Sequence, residues 1–339
     1  MASISEVARL AGVSTATVSR ALSGNGNVSP TTRTKVQRAV AELDYVVSST
    51  ASGLASGRTR NVGVVIPFVN RWYFGQVLEG AQAALRQSGY DLTLYNLSGG
   101  ADTRQSLFED FLLRRRVDAV LTICLKLRPH EISTLLGLGK PLVAVGGPLP
   151  GVPTLSIDDV EVARLATEHL LALGHTRIAL IGENPEAEHE FSLSGDRLRG
   201  YQSALADAGL APNPELFRRA DYTIQGGYVA AKQLLGNPRQ RPTAIFAASD
   251  EMAIGAILAA RDLGLAVPHD VSVIGVDDHE LAAFFGLSTV AQFPRDQGRR
   301  AASMILDDLA EGGDRGRDQD VRVPYELVVR ASTARPSTL

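Results

Sequence analysis

The chain has 339 residues, 45% apolar and 21% charged, with 32 glycines and 16 prolines. This suits two or three compact units and excludes a disordered or fibrous protein. A single cysteine, Cys124, leaves no disulfide framework and no thiolate metal cluster, and no apolar run nears the roughly 18 residues of a membrane span. The net charge of −3 hides an asymmetry: residues 1–60 carry seven basic side chains against three acidic ones, a net +4, which leaves −7 for the rest. A small basic head suited to a polyanion therefore precedes an acidic body. Met1 to Glu6 lacks the order of a secretion signal, so a cytoplasmic protein is expected.

Ile4, Val7, Ala8 and Ala11 recur at helical spacing behind Ser5, a candidate N-cap, which predicts a short helix over residues 5–11 stopped by Gly12. Ser14 can cap a second helix from Thr15 to Leu22, with Val18, Ala21 and Leu22 on its apolar side. Ala8 is small where two helices cross, Gly12 takes the positive φ of a corner, and Val18 fills the angle. Ser29-Pro30 opens a third helix through Leu43, with Val36, Ala39, Val40 and Leu43 turned inward. If this is a DNA-binding helix-turn-helix, Thr15, Ala16 and Arg20 face the major groove, and Ser14, Thr17 and Ser19 lie near phosphates. The planar fork of Arg20 matches guanine O6 and N7, and Ala16 matches a thymine methyl. A structural three-helix cap with an exposed arginine is the plainer alternative.

The run from Ile4-Ser5-Glu6-Val7-Ala8 through Val18-Ser19-Arg20-Ala21-Leu22, continued by Val28-Ser29-Pro30 and Leu43-Asp44-Tyr45, closely resembles the start of the lactose-repressor (LacI/GalR) family of bacterial regulators. The resemblance implies a DNA-binding head over 1–47 and a hinge helix with linker over 48–60. In that hinge, Ala51 to Gly57 folds on the operator and Leu54 wedges into the minor groove; an ordinary linker leucine is the alternative. The chain departs from the family pattern at Val47-Ser48, where Pro-Asn is usual, and at Ala51-Ser52-Gly53, which lacks the usual arginine and stronger helix formers. Gly53 costs about 1 kcal/mol of helix stability relative to alanine, so a hinge without order in the absence of DNA is expected.

From Asn61 onward, apolar runs alternate with helical stretches: Val62 to Ile66, Phe74 to Gln87, Leu92 to Tyr95, Thr103 to Arg114, and Ala119 to Ile123. The scheme repeats with Ile178 to Ile181, Arg197 to Ala208, Ala244 to Ala247, Met252 to Leu263 and Ser272 to Val276. Strands without alternation, separated by helices, predict parallel sheets covered on both faces. Gly80-Ala81-Gln82-Ala83-Ala84-Leu85 before Gly89 echoes Gly200-Tyr201-Gln202-Ser203-Ala204-Leu205 before Gly209, as two related lobes would. The body resembles the family's effector domain, which is similar to periplasmic sugar-binding proteins. This implies an α/β chain: a small all-α head and hinge helix joined to a two-lobed body, with crossovers near Ile157, Gln292 and Val321. The lobes would be 61–157 with 292–320 and 158–291 with 321–339.

Ligands of open α/β sheets bind at strand C-terminal ends. Phe68, Trp72, Tyr73 and Phe74 follow the first strand, and the resemblance places the pair Tyr73-Phe74 near ligand, although packing or dimer contacts would use aromatics equally. Arg197, Tyr222, Asp250, Asp277 and Gln292 match positions at which family members commonly hold effector, and carboxylates with an arginine suit vicinal hydroxyls. Asp250 would also serve as a helix N-cap, and Asp277-Asp278 as a solvated turn. The stretch Asn184 to Ser194 is long for the family, and whether Glu188, His189 or Glu190 reaches a ligand stays open.

Gly137-Leu138-Gly139-Lys140-Pro141 lacks the spacing of a phosphate-binding loop, no nucleophile elbow occurs, and neither Glu188-His189-Glu190 nor Asp277-Asp278-His279-Glu280 has the histidine pair of a zinc helix. No catalysis, metal or cofactor is expected. Two readings remain. One is a repressor that binds a pseudopalindromic double-stranded operator as a homodimer and answers to a small effector, a sugar-like inducer or a purine-like corepressor. The other is a cytoplasmic small-molecule receptor or carbohydrate-processing protein built on the same lobes, with a vestigial head. Carboxylates and aromatics favour the sugar, and a tail without leucine heptads favours a dimer over a tetramer.

Overall fold

A computed structural model describes residues 2–23, 27–45, 58–97, 101–108, 116–147, 149–182, 193–311 and 320–337. The expected hinge helix with Leu54, and the loop positions Glu188, His189 and Glu190, lie outside these residues. The chain divides into two compact units, Met1–Asn61 with Arg116–Asp118, and Val62–Arg115 with Ala119–Leu339.

The first unit holds three helices, α1 (Ile4–Ala11), α2 (Thr15–Ser23) and α3 (Pro30–Glu42). The N-cap of α1 is Ser3 rather than Ser5. Ser3 Oγ accepts from Glu6 N at 3.3 Å while the Glu6 carboxylate accepts from Ser3 N at 2.7 Å. Ser5 has Ala8 three residues on and so no side chain to return the bond. The bond from the Ser3 backbone also holds the Glu6 carboxyl below its usual range. Gly12 ends α1 at φ 67, and Val7, Ala8, Val18, Ala21, Val36 and Ala39 form a buried core where the helices meet. Val40 and Leu43 pack at its edge, half-buried.

The second unit begins with β1 (Asn61–Ile66), α4 (Trp72–Gln87), β2 (Asp91–Asn96), α5 (Ala101–Ser106), β3 (Ala119–Ile123), α6 (Pro129–Gly137), β4 (Leu142–Val145) and β5 (Thr154–Ser156). It continues with α7 (Asp159–Ala172), β6 (Ile178–Gly182), α8 (Leu193–Asp207), β7 (Phe217–Arg219), α9 (Ile224–Leu235), β8 (Ala244–Ala247), α10 (Asp250–Asp262) and β9 (Ser272–Asp277). Last come β10 (Ser288–Ala291), α11 (Pro294–Glu311), β11 (Asp320–Arg322) and β12 (Glu326–Val328). Two six-stranded sheets result, in the orders β2-β1-β3-β4-β5-β11 and β7-β6-β8-β9-β10-β12. Their central pairings are parallel, and β12 runs antiparallel to β10. β1, β3, β6, β8 and β9 are buried on nearly every residue, as helix-covered parallel strands must be.

The chain passes between the sheets after β5, after β10, and between β11 and β12. The third passage lies beyond Val321, because Val321 still pairs with Leu155 in the first sheet. The glycines of the internal echo sit at helix crossings. A Cβ on Gly80 of α4 would overlap the Arg295 carbonyl of α11, and one on Gly200 of α8 would overlap the Val160 carbonyl of α7. Gly227 and Gly255 bring α9 and α10 together in the same way.

Candidate functional site

In the first unit the exposed face of α2 carries Thr15, Ala16 and Arg20, and Thr17 and Ser19 are half-buried beside buried Val18. Ser14 accepts from Thr17 N at 3.2 Å and so fixes the start of that helix. Arg20 Nε donates to the Ala16 carbonyl at 3.2 Å, which holds the guanidinium along the helix face.

In the second unit a cavity of about 280 Å³ opens at the C-terminal ends of the strands. From the first sheet come Phe68 after β1, Cys124 after β3, Gly146 after β4 and Ile157 after β5, with Arg71, Tyr73 and Phe74 at the start of α4. From the second come Asp221 and Tyr222 after β7, Ser249 after β8, Asp277 at the end of β9 and Gln292 after β10. Asp159, Arg197, Glu251 and Gln297 complete the lining from helices. Of the expected effector residues, Phe68, Tyr73, Phe74, Arg197, Tyr222, Asp277 and Gln292 meet here.

Asp250 does not reach the cavity. It is fully buried behind it, accepting from His279 N at 2.8 Å and Thr289 Oγ1 at 2.7 Å. It does not cap α10 either, since Ser249 Oγ accepts from Met252 N at 3.3 Å. Asp278 forms an ion pair with Arg330 at 2.6 Å instead of a solvated turn. Trp72 stays out of the lining and stacks on His279, ring centroids 4.7 Å apart.

One wall of the cavity is a buried polar network. Arg197 Nε donates to Asp159 Oδ1 at 2.8 Å, both side chains 4% exposed, and Arg197 Nη1 donates to the Ala248 carbonyl. Tyr73 OH donates to Gln297 Oε1 at 2.9 Å, Gln297 Nε2 to the Gln292 carbonyl at 2.5 Å, and Gln292 Nε2 to Asp277 Oδ1. This chain of bonds runs from α4 of the first sheet, through the crossover after β10, to β9 of the second. Cys124 (φ 49), Tyr222 (φ 52) and Asp277 (φ 130) hold positive φ without being glycine, a strain that persists only where surrounding packing over-determines it.

Burial sets the protonation of this wall. It pushes Tyr73 well above its ordinary range and the Cys124 thiol to about 12, so both stay protonated. Burial raises Asp277 to about 6, with Arg197 opposing, and raises Glu251 from 4.5 to about 7, with Asp277 adding to the shift. In the unfolded chain Glu251 releases its proton near 4.5, so the folded protein binds the extra proton between 4.5 and about 7 and loses that stability as pH rises through the window. Glu251→Gln is therefore expected to match the parent in urea unfolding at pH 4.5 and to exceed it at pH 8. A parent no less stable at pH 8 relative to the variant than at pH 4.5 would contradict this.

Asp159, Glu251 and Gln297 were not singled out in the sequence. Asp159 and Glu251 read as first-turn acids of α7 and α10, and Gln297 as one polar residue of a polar helix. Their partners lie across the fold.

Residues 3–48 match the bacterial regulatory proteins of the lacI family, and residues 167–333 match a periplasmic binding protein-like domain. The chain is 35% identical over 340 residues to the HTH-type transcriptional repressor PurR of Proteus mirabilis (strain HI4320), covering 98% of this chain and 97% of that one. It is similar to the crystal structure of the lac repressor dimer bound to operator and the anti-inducer ONPF, with TM-score 0.85, 27% identity, and 98% and 99% of the two chains covered. It is also similar to a transcriptional regulator CelR–cellobiose complex, with TM-score 0.72, 30% identity, and coverage of 98% and 100%.

Proposed function

The chain belongs to the lacI family of bacterial regulatory proteins and is a cytoplasmic DNA-binding transcriptional repressor rather than an enzyme, and from that premise we propose that it holds a pseudopalindromic operator as a homodimer and releases it on binding a sugar-like inducer. The observation that carries the sugar is the cavity wall of Asp159, Arg197, Asp277 and Gln292 facing the rings of Phe68, Tyr73 and Phe74. Buried carboxylates and a guanidinium accept from and donate to vicinal hydroxyls, and aromatic faces cover the C–H faces of a sugar ring. The cavity collects strand ends from both sheets, so a ligand that bridges them favours one arrangement of the lobes and couples to DNA affinity, typically by about 1 to 3 kcal/mol. The edge-to-face pair of Tyr73 and Phe74, centroids 5.6 Å apart, supports a second reading in which a purine-like ring stacks there as corepressor.

Thermal unfolding against sugars and purines tests this. A ligand at 100 times its dissociation constant adds about 2.7 kcal/mol, roughly 5 to 10 °C for a body of this size. A sugar hit that weakens operator binding upholds the inducer reading; a purine hit that tightens it replaces that reading with corepression. At the head, Arg20→Ala is expected to weaken operator binding by about 5- to 150-fold and to relax preference at one base position, read by titration against operator variants. Unchanged affinity and preference would remove Arg20 from base readout.

A further inference from the structure

We infer that the cavity takes its ligand unphosphorylated and rejects the phosphate ester of the same compound, an inference that rests on the sugar-like effector proposed above and fixes its charge class. Among the described residues the lining carries four carboxylates, Asp159, Asp221, Glu251 and Asp277, against two guanidiniums, Arg71 and Arg197. Both cations already hold protein partners. Arg197 donates to Asp159 and to the Ala248 carbonyl, and Arg71 lies 5.2 Å over the Phe68 ring with Nη2 donating to the Asp221 carbonyl at 3.3 Å. The buried Nε of Arg71 has no hydrogen-bond partner among the described residues, one open donor against four carboxylates.

Helix N-termini are the other natural seat for a phosphate. Helices α4, α7 and α10 start at the cavity wall, and an acidic side chain of the protein stands at or beside the start of each. Asp158 Oδ1 accepts from Glu161 N on α7 at 3.2 Å. Asp250 and Glu251 occupy the first turn of α10 behind the Ser249 cap. On α4 no side chain of the helix caps its own start, and Glu251 supplies the acceptor by taking the Trp72 N–H. A phosphate dianion would have to displace these groups or stand beside them, and like charges brought together without water between them repel strongly. Burial is what chiefly raises Glu251 and Asp277, and a neighbouring carboxylate adds to each shift, Asp277 for Glu251 and Asp159 for Asp277. A neutral sugar or nucleoside meets no such barrier. Phosphorylation of the effector would end its hold on the repressor, so the regulator reads the substrate of a kinase and not the product.

The test is calorimetric titration of the full chain at pH 8 with matched pairs: ribose and ribose 5-phosphate, glucose and glucose 6-phosphate, adenosine and adenosine monophosphate. In any pair with a binding member, the neutral compound is expected to bind at least about thirtyfold more tightly than its ester. Glu251→Gln is expected to narrow that gap by weakening rejection of the ester. A phosphate ester that binds as tightly as its neutral partner overturns the inference and leaves the sugar reading standing. A panel in which no member of any pair binds overturns the sugar reading itself.

Discussion

Arg197→Met is expected to lower the unfolding free energy by about 3 to 5 kcal/mol and to remove the response to effector. The guanidinium and Asp159 are each 4% exposed and bonded at 2.8 Å. Burial pushes the Asp159 carboxyl up, with Asp196 and Asp158 adding to it, and Arg197 opposes that shift. Without it the carboxylate is buried and unpaired, or takes a proton, and either state forfeits the geometry of the wall. The exposed pair Arg164–Glu168, 35% and 46% accessible, sets the contrast: its loss is worth about 0.2 to 1 kcal/mol because water takes over each charge. The double variant Asp159→Leu, Arg197→Met separates packing from recognition. Removing both ions leaves neither member of the pair as an uncompensated charge, so most of the stability should return, short of what Asp277 loses with the Arg197 charge, while effector binding does not. Urea unfolding and ligand titration of the three variants read this. A single-variant loss below about 1 kcal/mol would show that the pair is not the keystone of the wall.

Where periodicity carries the information, the sequence was legible. β1, β3, β6, β8 and β9 are short apolar runs without alternation, and they lie where such runs predict helix-covered parallel strands. The head was equally plain, because Ala8, Gly12 and Val18 do jobs that few other residues do at that spacing. Local chemistry was read less well. Ser5 looks like the cap until the bond that the Glu6 carboxylate accepts from Ser3 N is considered. The candidate site was legible through its aromatics and through Arg197, Asp277 and Gln292, and hidden at Asp159, Glu251 and Gln297, whose partners lie across the fold. Asp250 and Glu251 are adjacent first-turn acids, yet the fold turns the first inward to Thr289 and His279 and the second into the cavity. One residue along a helix is about 100° of rotation, and only the packing of α10 on β9 decides which acid meets the ligand.

Gly80→Ala and Gly75→Ala, two substitutions in the same helix, are expected to have opposite signs. Gly75 has nothing within 4 Å of a built Cβ and ordinary helical backbone, so alanine there should stabilise by up to about 1 kcal/mol through helix propensity and the lost freedom of the unfolded chain. At Gly80 the same methyl would overlap the Arg295 carbonyl and lie 3.1 Å from Arg295 Cα. Backbone atoms of a packed helix cannot swing aside as a side chain can, so α4 and α11 must separate. The cost of such overpacking is about 3 kcal/mol, which exceeds the propensity gain severalfold. The consequence extends to the cavity. Arg295 stands two residues before Gln297, whose Oε1 accepts from Tyr73 OH at 2.9 Å and whose Nε2 holds the Gln292 carbonyl. Pushing α11 outward stretches the chain of bonds that joins the two sheets through Asp277. Gly80→Ala should therefore lose effector affinity as well as stability, and Gly75→Ala neither, as read by urea unfolding and by titration with whichever ligand stabilises the parent. Equal stability of the two variants would mean that the α4–α11 crossing yields to a methyl, and that the glycine shared by the two halves of the body reflects their common pattern rather than a steric demand.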